Sequence, residues 1–114
     1  PECGVLCARE LEFSIQRIGP ENVAGFIAEP LVGSTAGALV PPDEYWPMVR
    51  EICDRYDVLL LADEVMTGIG RTGKNFALDH WDVVPDILIM AKCLGAGYVP
   101  AGGIAGREQI AETV

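Results

Sequence analysis

Three apolar runs in this chain each stop at a polar residue able to do chemistry. Residues 23–28 (VAGFIA) run into Glu29, residues 58–62 (VLLLA) into Asp63, and residues 86–91 (DILIMA) into Lys92. A carboxylate at such a position can stabilise a cationic group. A primary amine there can bond covalently to a carbonyl or carry a proton. Asp63 and Lys92 stand 29 residues apart. Each also has a bland reading, since an Asp at a strand end often caps a turn and a Lys there is often simply solvated. Neither residue decides the question alone; the surroundings of both do.

The elements that must position these residues alternate in type. Residues 5–18 place Leu6, Leu11, Ile15 and Ile18 near helical spacing, and Gly19-Pro20 stops that run. Residues 31–42 are rich in Gly, Ser, Thr and Pro, as a loop is. Asp43 is then expected to cap a helix over about 44–56, with Trp46, Val49, Ile52, Cys53 and Tyr56 along one side and Pro47 in its first turn. A Gly-rich loop comes after Asp63-Glu64. After Lys92 come Gly95, Gly97, Pro100, Gly102 and Gly103, then a short strand near 102–106 and a terminal helix from Arg107. Continuous apolar strands separated by helices predict an α/β fold with a mostly parallel sheet covered on both faces. Ligands of such sheets bind at the carboxyl ends of the strands, so Glu29, Asp63 and Lys92 are expected to converge on one crevice.

Composition narrows the function. The chain has 114 residues, 50% hydrophobic and 22% charged, which is a globular composition for one domain at most. Its start at Pro1 leads us to expect a stretch of something longer. A net charge of −9 argues against nucleic acid as a partner, because phosphate binding needs basic patches. No apolar run approaches the length that crosses a bilayer, so no membrane partner is expected. The four cysteines, Cys3, Cys7, Cys53 and Cys93, form no CxxC or Cys/His cluster. They read as buried, reduced thiols of a cytoplasmic protein, and no metal site is expected.

Two motifs mislead. Gly68–Gly73 (GIGRTG) matches the dinucleotide fingerprint, but five residues separate it from the preceding strand, and Arg71-Thr72-Gly73-Lys74 is a poor helix start. The same stretch nearly forms a phosphate loop with Lys74, but Asn75 stands where a metal-binding hydroxyl is needed. His80, the single histidine, has no partner in sequence to orient it and reads as structural or surface.

Around Asp63 and Lys92 the sequence resembles the class III aminotransferases, a branch of the fold-type I pyridoxal-phosphate enzymes. The resemblance lies in LLLADEVMTGIGRTG at 59–73 and PDILIMAKCLGAGY at 85–98. Glu29-Pro30 before a Gly-rich loop and Val40-Pro41-Pro42 before the next helix also fit. It spans roughly residues 20–110. It implies that the chain is the central, incomplete part of a large cofactor domain with three-layer αβα architecture. It further implies that Lys92 forms the Schiff base with pyridoxal 5'-phosphate, that Asp63 pairs with the pyridine nitrogen, that Val65 packs on the ring and that Glu29 stands behind them. The implied reaction moves an amino group from an amine or ω-amino acid to a 2-oxo acid such as pyruvate, in a homodimer. The last strand, near 102–106, is implied to run antiparallel, and the short Gly-rich link after Lys92 allows a hairpin-like return.

Ser34 and Met66 depart from branches of the family that carry Glu and Gln at these positions, and both departures point toward the pyruvate-using branch. Two other readings of the residues remain open here. One is an inert fragment that serves as an interaction module. The other is an aminomutase or racemase on the same scaffold.

Overall fold

A computed structural model describes residues 3–113. Helix α1 spans Gly4–Ile18, strand β1 Gly25–Ala28, helix α2 Tyr45–Arg55, strand β2 Leu59–Asp63, strand β3 Ile87–Met90, strand β4 Gly103–Gly106 and the short helix α3 Glu108–Ala111. The strands form one sheet in the order β1-β2-β3-β4. β1, β2 and β3 are parallel, and β4 returns antiparallel to β3. The fold is therefore α/β with a mostly parallel sheet, and the antiparallel last strand agrees with the family resemblance. Only a 3₁₀ turn, Lys92–Gly95, stands in the link from β3 to β4.

Strand alternation sorts the sheet into two faces. Phe26, Leu60, Ala62 and Leu88 share one face by register and pack into the core. On that side α2 contributes Trp46, Val49, Ile52 and Cys53, and α1 adds Ala8 and Ile15. The helix α1 runs along α2, tied to it by Arg55–Glu12 at 2.7 Å and by Gln16 donating to the Tyr56 hydroxyl at 2.6 Å. The α2 stripe is the one expected. The α1 stripe holds in part: Ile15 is buried and Leu11 half-buried as expected, but Leu6 and Ile18 are exposed and Ala8 is buried. Among the described residues α2 is the main neighbour of α1, and the positions of α1 that meet it are the covered ones. Asp43 does not cap α2 either. Glu44 is the N-cap and makes no side-chain cap bond, while Tyr45 N–H is taken by Pro42 O at 3.0 Å. The prolines set a backbone turn that replaces the side-chain cap.

The opposite sheet face carries Ile27, Leu61, Ile87, Ile89 and Ile104, with Ile27 55% and Ile104 74% exposed. One helical layer of the αβα arrangement is thus present among the described residues. A parallel sheet with an open apolar face is unstable toward association. The 114-residue chain produced alone is expected to self-associate, as sedimentation would show; a cooperatively unfolding monomer would contradict this.

The cysteines are free. Cys53 is buried and Cys93 half-buried, but Cys3 and Cys7 are exposed at the start of α1, against the expectation of buried thiols. Burial pushes the Cys53 thiol up to about 11, which removes it as a nucleophile near neutral pH.

Candidate functional site

The sheet edge at the carboxyl ends of β1, β2 and β3 is where the candidate residues stand. Ala28 pairs with Ala62, so Glu29 and Asp63 leave adjacent strands side by side. The β1 end is pinned from the helical side, because the indole of Trp46 donates to Pro30 O at 3.1 Å. Glu29 is half-buried, and its carboxylate accepts Gly33 N–H at 2.8 Å.

Asp63 is half-buried, and its Oδ1 accepts Val65 N–H at 3.1 Å. Among the described residues its carboxylate makes no other hydrogen bond and no ion pair. That leaves one edge of a sheltered carboxylate available to a cationic partner. Val65 is half-buried beside it.

Lys92 reaches the edge differently. Register pairs Asp63 with Ile89, so these two share the open face with Ile104. Lys92 lies three positions past Ile89, and continued alternation would give it the other face. Alternation stops instead. Lys92 has φ 46°, and the turn that it opens ends on Ala96 at φ 49° and Gly97 at φ 78°. A left-handed non-glycine residue costs about 1–3 kcal/mol and is held only by its surroundings. Lys92 is exposed, and among the described residues its ammonium bonds to nothing. The other lysine of the chain, Lys74, is engaged: its Nζ donates to Asp79 O at 2.6 Å.

Glu29 and Lys92 line different hollows. Lys92 borders an open cleft with Arg71, Cys93, Ala96 and Gly97. Glu29 borders an apolar hollow of about 510 Å³ with Pro30, Val32, Leu39, Pro41 and Tyr45. Asp63 lines neither. The three residues share one sheet edge, but Glu29 and Lys92 open onto separate hollows.

Two buried acids outside the sequence-derived candidates brace the sheet, Glu64 at this edge and Asp86 at the opposite edge, just before β3. Glu64 is 1% exposed. Its carboxylate accepts the Thr67 hydroxyl and the amides of Ala77 and Leu78, both at 3.0 Å, while its own N–H is held by Ile89 O at 3.0 Å. It thereby closes the loop that leaves Asp63. Asp86 is also buried, and its Oδ2 accepts Leu60 N–H at 2.7 Å and Arg50 at 2.8 Å, with Arg107 on Oδ1 at 3.0 Å. Burial pushes this carboxyl up, but the Leu60 amide and the Arg50 guanidinium outweigh it and hold the group below its usual range. The one local signal for both is an acid set directly against an apolar strand. Replacing Glu64 with Ala strands two buried amides, so the expected loss of stability is about 3–5 kcal/mol, read from denaturant unfolding of the full-length protein. A loss under about 1 kcal/mol would contradict this role.

The misleading motifs resolve simply. Residues 65–76 form turns, with no helix after the glycines, and the 3₁₀ turn Ala77–His80 comes next. His80 is exposed, with Nε2 3.1 Å from Thr72 O. Among the described residues no group of acids, Cys and His could hold a metal ion. Among them, too, no helix is long and apolar enough to cross a membrane.

The family model "Aminotransferase class-III" matches residues 3–114. The chain belongs to the class III aminotransferases. The putrescine–pyruvate aminotransferase of Pseudomonas aeruginosa is 49% identical over 99% of this chain and 25% of its own length. The taurine–pyruvate aminotransferase of Bilophila wadsworthia is 43% identical over 96% of the chain and 24% of its own. Among solved structures, an (S)-enantioselective omega-transaminase from Thermomicrobium roseum superimposes with TM-score 0.93 at 46% identity, over 98% of this chain and 25% of that one. An amine transaminase from an uncultivated Pseudomonas species, solved in a PLP-bound form, does so with TM-score 0.90 at 46% identity, over 96% and 24%. This class III aminotransferase chain thus spans about a quarter of the length of the relatives it matches.

Proposed function

We propose that the full-length protein is a pyridoxal-phosphate-dependent aminotransferase, and that residues 1–114 are the central part of its cofactor-binding large domain. It moves an amino group from an amine or ω-amino acid to a 2-oxo acid such as pyruvate. One observation carries this reading: Asp63 and Lys92 end neighbouring strands with their functional groups free of any ion pair among the described residues, while Lys74 is spent on a backbone carbonyl.

The residues fit the cofactor. Asp63 would pair its free carboxylate edge with the protonated pyridine nitrogen, and the Val65 amide fixes the other oxygen. Val65 lies two residues on and would flank the bound ring. Lys92 would hold the cofactor covalently through Nζ. The same Nζ, when free, would accept and return the proton of the reacting carbon. When bound, pyridoxal phosphate supplies the electron sink that makes the proton on the amino carbon acidic. Glu29 stands behind Asp63 and holds the turn at Gly33. The absence of a salt bridge at Asp63 among the described residues matters here, because a protein cation on that oxygen would compete with the ring.

The acceptors named for two relatives, both pyruvate, support that choice. We also infer a cytoplasmic homodimer; the open sheet face is where the second helical layer of the αβα domain would pack. The test is product analysis: full-length protein, pyridoxal phosphate, putrescine or taurine, and pyruvate. Alanine should form in step with loss of the donor. A donor isomerised with no alanine formed, or no alanine from either donor in protein that has bound pyridoxal phosphate, would overturn transamination.

A further inference from the structure

Gly33 is a glycine for want of space and not for its backbone angle. It is buried, and it is absent from the residues with positive φ. A Cβ built there would lie 2.5 Å from Met66 Sδ, 3.2 Å from Met66 Cε and 2.9 Å from Glu29 Oε2. Gly37, Gly70, Gly73 and Gly97 are the converse, with positive φ and open space around them. The Met66 thioether therefore sits directly on the Gly33 backbone, beside the carboxylate that accepts the Gly33 N–H.

Met66 belongs to a tight corner. Val65 N–H holds Asp63 Oδ1, Gly68 N–H bonds Glu64 O at 2.9 Å, and the Thr67 hydroxyl bonds the Glu64 carboxylate. Met66 follows Val65 directly in this corner, and the Val65 amide orients Asp63. The geometry points to Met66 as a positioning residue: seated on Gly33, its thioether latches the Asp63–Val65 corner of β2 to the loop that leaves β1 at Glu29. An unbranched, polarizable side chain suits such an irregular gap. The latch sets the aim of Asp63 and touches no substrate.

This inference rests on the cofactor reading of Asp63, and its test separates the two. Pyridoxal phosphate is titrated into full-length apoprotein, wild type and the variants Gly33→Ala, Met66→Ala and the double variant, with thermal unfolding of each apoprotein alongside. Gly33→Ala overpacks the contact and should weaken cofactor binding about tenfold. Met66→Ala removes the obstructing thioether, so the double variant should bind more tightly than Gly33→Ala alone. Effects of the two substitutions that simply add would overturn the latch. So would a Gly33→Ala protein with a lowered unfolding temperature and wild-type affinity, since that is a structural role only. If Gly33→Ala alone does not fold, the latch is read from Met66→Ala, which should stay folded and bind pyridoxal phosphate more weakly than wild type; wild-type affinity there overturns it. A wild-type protein that binds no pyridoxal phosphate sinks the latch together with the cofactor reading, whereas wild-type binding with additive variants sinks the latch alone.

Discussion

Lys92→Ala in the full-length protein is expected to lose nearly all transamination together with the visible absorption of lysine-linked cofactor. Both losses come from one amine serving as covalent anchor and as proton carrier. The backbone at Lys92 sharpens the expectation. Its left-handed φ of 46° is tolerated by alanine no better than by lysine, so the substitution should leave the turn at Lys92–Gly95 and the stability of the protein about where they were. Activity and stability therefore separate: thermal unfolding close to wild type, turnover gone. A Lys92→Ala protein that keeps more than a few per cent of its turnover would remove Lys92 from the chemistry.

Asp63→Asn is expected to fail in another way. The covalent linkage at Lys92 should persist, because the amine is untouched. The ring nitrogen loses the charge that keeps it protonated, and with it the electron sink weakens. The proton-transfer step should slow roughly 10²-fold or more, which is about 3 kcal/mol of barrier. Asn keeps an oxygen for the Val65 amide, so the local turn should hold. Single-turnover kinetics with an amine donor, monitored at the linked cofactor's absorption band, read this directly. An unchanged rate would show that Asp63 does not face the ring nitrogen. The two variants thus differ in kind: one loses the bond, the other keeps it and loses the reactivity.

The sheet is legible in the sequence because its strands are unbroken apolar runs, and such runs mark strands buried on a parallel sheet. The polar residue ending each run is legible for the same reason, as a charged group cannot continue a buried strand. The handling of Lys92 is not. Counting from Ile89 puts it on the wrong face, and only a left-handed turn removes it from the strand alternation, a conformation that no local sequence rule assigns to lysine. Glu64 reads in sequence as the partner of Asp63 in closing a strand, yet it faces away into the core. Its amide partners at Ala77 and Leu78 are 13 and 14 residues on, and a pairing at that range leaves no periodic signature. Asp86 reads as the first residue of a strand, whereas its side chain is a brace shared by Leu60, Arg50 and Arg107. Helix α1 shows the limit of periodicity: Leu6, Leu11, Ile15 and Ile18 fit helical spacing, but the partner helix decides which of them is covered. Local pattern fixes element type far better than it fixes tertiary neighbours.

The central assignment is that Lys92 is the covalent anchor, and one measurement addresses it most directly. The full-length protein, saturated with pyridoxal phosphate, is reduced with borohydride, digested, and its peptides are mapped by mass. The segment holds two lysines, Lys74 and Lys92. The expected result is a reduced phosphopyridoxyl adduct on the peptide containing Lys92 and an unmodified Lys74, whose amine is already taken by Asp79 O. An adduct on Lys74, or none on either lysine of a protein that has bound the cofactor, would contradict it.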